Sequence, residues 1–145
     1  MIYIKIKKKD KLIPYKRKVV TNMLKFFQCS NNGVVIPVSH VFTEEEFLKD
    51  AKEIVPNSIN AAEEKHLPVV TISGSTVTVN VGNVEHPMTE EHSITTVILE
   101  TQNGGQYKFL PHDGTPVVHF ELYSTEKPIA AYAYCNLHGL WKVEI

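Results

Sequence analysis

Four histidines and one cysteine of this chain sit at predicted strand ends or in loops. His66 stands just before Pro68. His86 and His92 bracket the loop Glu85-His86-Pro87-Met88-Thr89-Glu90-Glu91-His92, and Cys135 and His138 form a C-x-x-H pair in Cys135-Asn136-Leu137-His138. A rigid sheet can aim side chains in such places at a common point. Taken singly, a loop histidine is ordinarily a solvated side chain, and a C-x-x-H pair has many innocent occurrences. Taken together, imidazole and thiolate are the donor set of transition metals. A structural zinc takes four ligands in a closed tetrahedron, and four histidines plus a cysteine offer one too many. Five nitrogen and sulfur donors suit a larger coordination number, with iron the natural ion and one position left open.

The other histidines have simpler readings. In Val117-Val118-His119-Phe120-Glu121-Leu122, alternation places Val118, Phe120 and Leu122 on one face and turns His119 to solvent with Glu121. His112 lies in the polar turn Pro111-His112-Asp113-Gly114. His40 falls outside the cluster.

The elements that must position these residues are mostly strands. After His66 the chain alternates apolar and polar residues between closely spaced turns, the pattern of an antiparallel β-sandwich. Strands are expected at Val69 to Ile72, Thr76 to Val81, Ile94 to Gln102, Gln106 to Leu110, Val117 to Tyr123 and Ile129 to Tyr134, with Leu140 to Val143 as a seventh. Gly74-Ser75 and Asn103-Gly104-Gly105 supply hairpin turns. Upstream, Leu24 to Gln28 and Val34 to Val38 read as short strands around Ser30-Asn31-Asn32-Gly33, and Pro37 makes the second an edge or irregular strand. Thr43 and Glu46 have capping-box spacing, which predicts a short helix from Thr43 to Ile54. Pro56-Asn57-Ser58 ends it, and Asn57 to Glu64 reads as a linker.

Composition agrees with an ordinary folded chain. Its 145 residues are 43% hydrophobic and 21% charged, which argues against wholesale disorder, a collagen-like repeat and a coiled coil. No apolar run approaches the roughly 18 to 20 residues of a membrane span, and the start lacks the apolar stretch of a secretory signal, so a cytoplasmic location is expected. Two cysteines, Cys29 and Cys135, cannot make a disulfide framework. Charge is unevenly placed: residues 1–25 hold nine of the fifteen Lys and Arg against Asp10 alone, which leaves the rest of the chain at a net −9. The basic start reads as a solvated tail rather than a nucleic-acid or membrane anchor. Met23 precedes Leu24-Lys25-Phe26-Phe27-Gln28-Cys29, which reads like a domain start, so residues 1–22 are expected to be a dispensable extension of unknown role or to follow from an upstream start. The remainder divides into a small N-terminal unit, 23–60, and a β domain, 61–145.

Three segments carry a resemblance. Glu64-Lys65-His66-Leu67-Pro68-Val69, then Gly82-Asn83-Val84-Glu85-His86-Pro87-Met88 with His92, then Tyr134-Cys135-Asn136-Leu137-His138-Gly139-Leu140-Trp141 resemble, in order, the superoxide reductase family, the neelaredoxins and desulfoferrodoxins. The likeness spans roughly Ala61 to Lys142. It implies a seven-stranded immunoglobulin-like β-barrel and a mononuclear iron with four equatorial imidazoles, from His66, His86, His92 and His138, and one axial thiolate, from Cys135. In the family the glutamate of the first motif can occupy the sixth site of the ferric resting state, and the neighbouring lysine lies near the open ferrous site; those positions are Glu64 and Lys65. Longer members carry a second iron on four cysteines, two of them adjacent. Here Cys29 stands alone, with Asn32 at the second place, so that iron cannot be built.

The resemblance implies a superoxide reductase that turns superoxide into hydrogen peroxide with one external electron. Rubredoxin is the expected donor, and dimers or tetramers are the expected assemblies. Two other readings stay open at this point: superoxide dismutation at the same iron, and a non-catalytic immunoglobulin-like module with a structural zinc. Residues 61–145 hold four basic side chains against ten acids, so local positive potential, from the ferrous centre itself and Lys65, would have to attract the anion.

Overall fold

Thr76-Val77-Thr78-Val79-Asn80-Val81 alternates along its length, and in the computed structural model it is a strand that buries Val77, Val79 and Val81 completely. The structure describes residues 24–30, 33–35 and 51–145. Along these run β1 (Phe26–Cys29), β2 (Val34–Val35), β3 (Ala51–Ile54), a one-turn helix α1 (Glu63–His66), β4 (Pro68–Ser73), β5 (Thr76–Val81) and β6 (Ile94–Thr101). Then follow β7 (Gly104–Phe109), β8 (Val117–Glu121), β9 (Pro128–Cys135) and β10 (Gly139–Glu144).

Strands β4 to β10 form the seven-stranded antiparallel sandwich expected. One sheet has the order β4-β5-β8 and the other β10-β9-β6-β7. Cross-strand pairs set the core: Val77 lies opposite Phe120 and Val79 opposite Val118, while Val97 and Leu99 of β6 face Ala133 and Ala131 of β9. These side chains and Cys135 belong to one buried cluster. Each large apolar side chain so buried contributes roughly 1.5–3 kcal/mol.

Strand β9 is apolar on both faces because both faces are covered. Its outer residues Ala130 and Tyr132, with Ile98 of β6 and Leu140 of β10, form a second cluster with Phe26, and Leu24 and Ile54 pack against it. The rings of Phe26 and Tyr132 are 4.9 Å apart. Glu100 is buried at the same place, where its carboxylate accepts from the Tyr132 hydroxyl at 2.7 Å and from the N–H of Leu24 at 2.8 Å. A sheet of order β2-β1-β3 carries Phe26 and Ile54 to this face.

Three expectations change upstream of β4. Ala51–Ile54, expected to end a helix, is a strand paired antiparallel with β1, Phe26 opposite Ile54 and Cys29 opposite Ala51. Pairing and burial of Ile54 outweigh local helix propensity there; Thr43 to Asp50 lie outside the described residues. The second expected strand is seen as Val34–Val35, opposite Gln28 and Phe27, and residues 36–38 lie outside the description, as do His40 and the 1–22 extension. The expected linker is tied down. Asn57, at φ 60°, accepts from the Lys142 N–H at 2.8 Å and donates to its carbonyl at 3.0 Å, and α1 forms at the segment's end.

Candidate metal centre

The five residues singled out by type and spacing meet at one end of the sandwich. His66 closes α1 and leads into β4, His86 lies in the β5–β6 connection, His92 precedes β6, and Cys135 and His138 flank the β9–β10 turn. Both sheets therefore contribute. His66, His86 and Cys135 are buried, while His92 and His138 are half-buried.

The four imidazoles form a pinwheel. Neighbouring rings are nearly evenly spaced, at 4.7 Å (His66 to His86), 4.7 Å (His86 to His92), 4.9 Å (His92 to His138) and 4.9 Å (His138 to His66). Each neighbouring pair meets edge to face, at 76° to 89°. Across the ring His66 and His92 are 6.4 Å apart, close to the diagonal of a square with such sides. Ligand atoms of His66, His86, His92 and Cys135 all lie within 4.8 Å of one another. Nδ1 of His138 stands 3.0 Å from Nε2 of His66 and 3.7 Å from Sγ of Cys135.

Hydrogen bonds at the outer ring nitrogens decide which nitrogen faces inward. Nδ1–H of His66 donates to the Ala62 carbonyl at 2.7 Å, and Nδ1–H of His86 donates to the Pro87 carbonyl at 2.6 Å. A carbonyl can only accept, so Nδ1 holds the proton and Nε2 turns a lone pair inward. The Nε2 atoms of His86 and His92 are buried without a hydrogen-bond partner. Buried polar atoms are normally satisfied, and a shared cation would satisfy these.

Electrostatics favours the neutral rings that metal binding requires. Burial above all pushes His86 down to about 4, with the neighbouring imidazoles acting in the same direction and the Pro87 carbonyl opposing it. Burial also lowers His66 and His92, with His138 and the charge of Lys65 acting in the same direction on both. Burial pushes the Cys135 thiol up, while the backbone N–H groups of His138 and Leu137 at its sulfur oppose the shift. A cation would reverse the balance and hold the thiolate. The donor set and the inward lone pairs thus fit a transition-metal ion of the iron type.

Glu64 and Lys65 share α1 with His66. Glu64 is exposed and Lys65 half-buried; Glu64 raises, and Lys65 lowers, the proton affinity of His66. The Val84 N–H donates to the Glu64 carbonyl at 2.9 Å, and that of Gly82 to the Leu67 carbonyl at 3.0 Å, which docks the helix on the β5–β6 connection. His119 is exposed and 2.9 Å from the Thr78 hydroxyl, and His112 is exposed in its turn, as expected. Three motif residues acquire a role only from the fold. Trp141 stacks on His66, Gly82 passes close to the Lys65 carbonyl, and Asn136 reaches across to the His92 loop. A lone tryptophan and a glycine inside these motifs are the available sequence signals; the reach of Asn136 has none.

A sandwich with a four-imidazole, one-thiolate pinwheel at its end defines a class of iron-binding oxidoreductases, and the chain belongs to the desulfoferrodoxin family, whose model matches residues 58–144. It is 43% identical over 93 residues to the desulfoferrodoxin of Clostridium acetobutylicum, covering 64% of this chain and 72% of that one. It is 32% identical over 128 residues to the desulfoferrodoxin of Nitratidesulfovibrio vulgaris, covering 85% and 98%. Among solved structures it matches the superoxide reductase from Treponema pallidum with a TM-score of 0.69 and 37% identity, over 85% of this chain and all of that one.

Proposed function

We propose that this protein is a superoxide reductase, with a mononuclear non-haem iron held by His66, His86, His92, His138 and Cys135. Superoxide takes up one electron and two protons and leaves as hydrogen peroxide. The observation that carries the reading is the convergence of four imidazoles and a thiol, with the buried Nε2 atoms of His86 and His92 left unpartnered. His66, His86, His92, His138 and Cys135 would hold the iron, which would supply the one-electron Fe2+/Fe3+ chemistry.

The chain's own residues prepare that chemistry. Lys65 brings positive charge to the His66 and His92 side of the site, on a body that is otherwise acidic, and so attracts the anion locally. The N–H groups of Leu137 and His138 hold the Cys135 sulfur and moderate its electron donation. Half-buried His92 and His138 leave the site open to solvent, the source of the two protons. Glu64, exposed on α1 two residues before His66, would supply a carboxylate to the metal site between turnovers, as the family resemblance implies.

Further parts of the reading follow from composition. Residues 61–145 form the iron-binding unit and residues 23–60 a unit without a metal site. With Cys29 and Cys135 the only cysteines of the sequence, a second iron on four cysteines has no ligands, so the electron comes from an external donor, which the family resemblance implies to be rubredoxin. No helix among the described residues is long and apolar enough to cross a membrane, which fits a cytoplasmic enzyme. Adjacent exposed Tyr107 and Phe109 on edge strand β7 are consistent with a dimer or tetramer.

The deciding experiment measures metal content of protein purified without oxygen, with visible spectra before and after oxidation. About one iron per chain and a thiolate charge-transfer band on oxidation, lost in Cys135→Ser, are expected. Zinc, or no metal, would overturn the reading. One peroxide per superoxide with an added reductant is expected; half that yield without one would make the protein a dismutase.

A further inference from the structure

Asn136 is exposed, yet both ends of its side chain are engaged. Oδ1 accepts from the N–H of Ser93 at 3.0 Å and Nδ2 donates to the carbonyl of Glu91 at 3.1 Å, while its own N–H donates to the carbonyl of Ser93 at 3.2 Å. Glu91 and Ser93 are the residues on either side of His92. The amide therefore grips the chain immediately before and after that histidine, from the turn that carries Cys135 and His138.

This grip stands where the ladder is irregular. The β6–β9 register pairs Ile94 with Cys135 and Thr96 with Tyr134, skipping Thr95, and such bulges re-aim the chain at sheet rims. Asn136 continues the pairing past that point with one backbone and two side-chain bonds. The rings of His66 and His86 are each fixed by an Nδ1–H bond to a carbonyl, whereas the His92 segment is held through its backbone. On one side the His92 N–H donates to the Thr89 hydroxyl at 3.1 Å and the Thr89 N–H to the His92 carbonyl at 3.0 Å; on the other is Asn136. Binding one N–H and one carbonyl takes a side chain with an acceptor and a donor at this reach. Aspartate has the shape and lacks the donor.

We infer that Asn136 is a positioning residue that sets His92 against Cys135 and His138, and so governs how tightly and in what geometry the centre holds its ion. The inference rests on the metal-centre reading above. Gln102 supplies a control at the other end of the eight-residue β6, about 25 Å away. Its Nε2 donates to the Thr125 carbonyl at 2.9 Å, an amide-to-loop bond of the same kind.

The test loads the full chain and its Asn136→Ala, Asn136→Asp and Gln102→Ala variants with Co2+, and reads the thiolate-to-cobalt band and the affinity by chelator competition. Asn136→Ala is expected to lose about 10–100-fold in affinity and to shift the band. Asn136→Asp, isosteric and keeping the acceptor, should fall between, and it carries the test if the alanine variant does not fold. Gln102→Ala should match the unaltered protein in both readouts. Band and affinity in either folded Asn136 variant equal to those of Gln102→Ala would overturn the inference while leaving the metal centre standing. An unaltered protein that shows no thiolate band would overturn both.

Discussion

The indole of Trp141 lies on the imidazole of His66, with ring centroids 4.8 Å apart and planes 23° apart, while its Nε1–H donates to the backbone carbonyl of His138 at 3.1 Å. One buried side chain thus braces two members of the cluster that are 72 residues apart in the chain. Trp141→Phe keeps an aromatic face and drops the hydrogen bond, so a loss of about 1 kcal/mol is expected in denaturant unfolding. Trp141→Ala also removes the packing and should cost about 3–5 kcal/mol. Equal stability of the two variants would contradict this division of roles.

The lowered histidines set a pH window for the protein without metal. His86 folds neutral, at about 4 against 6.5 when unfolded, and His66 and His92 are shifted the same way. Between these values the unfolded chain binds more protons than the folded one, so stability rises with pH. The contribution is fully present above 6.5 and is lost as pH falls toward 4. Urea unfolding of metal-free protein at several pH values measures it, and His86→Gln should flatten the slope.

Gly82 combines φ 88° with a close approach. A Cβ there would lie 2.5 Å from the Val84 carbonyl oxygen and 2.7 Å from that of Lys65, both backbone atoms. Gly82→Ala must therefore shift the β5–β6 connection against α1, which carries Glu64, Lys65 and His66. We expect a loss of about 2 kcal/mol or more in unfolding and weaker metal uptake. Wild-type stability in the variant would mean that the helix shifts freely.

Charge at the entrance is tested separately. Lys65→Ala should slow the reaction with superoxide about tenfold at low salt and weaken its dependence on ionic strength, as pulse-radiolysis rates would show. Glu64→Ala should leave the first encounter nearly intact and alter the spectrum of the oxidised protein. A rate for Lys65→Ala that equals wild type at every salt concentration would remove the steering role.

The sandwich is legible in the sequence because alternation and turn residues agree: Thr76–Val81 is a strand over the predicted residues, and Gly74-Ser75 makes the predicted turn. Upstream of β4 local signals mislead. A run with a good capping box ends in strand β3, because β1 offers it a partner that local propensity does not encode. Helix α1 is one turn long, too short for periodicity to mark. Residue types and strand-end positions made the His and Cys set visible, but its shape was not. The pinwheel depends on how two sheets align; the bonds to Ala62 and Pro87 and from Trp141 are local, spanning four, one and three residues, but the one from Asn136 to Glu91 spans 45, and no shared spacing marks them.

The sheet built from β1, β2 and β3 has one further consequence. Phe26, Leu24 and Ile54 roof the outer face of β9 and β6, and the Leu24 N–H meets the carboxylate of Glu100 beneath it. A chain cut back to residue 58 would keep every member of the histidine and cysteine cluster yet bare Tyr132, Ile98 and Leu140 to water beside a carboxylate with half its partners gone. That face would be sticky, and the shortened protein would tend to clump before its chemistry could be assayed. The sheet of β1, β2 and β3 thus serves as a cover over an apolar face that the histidine and cysteine cluster does not itself need.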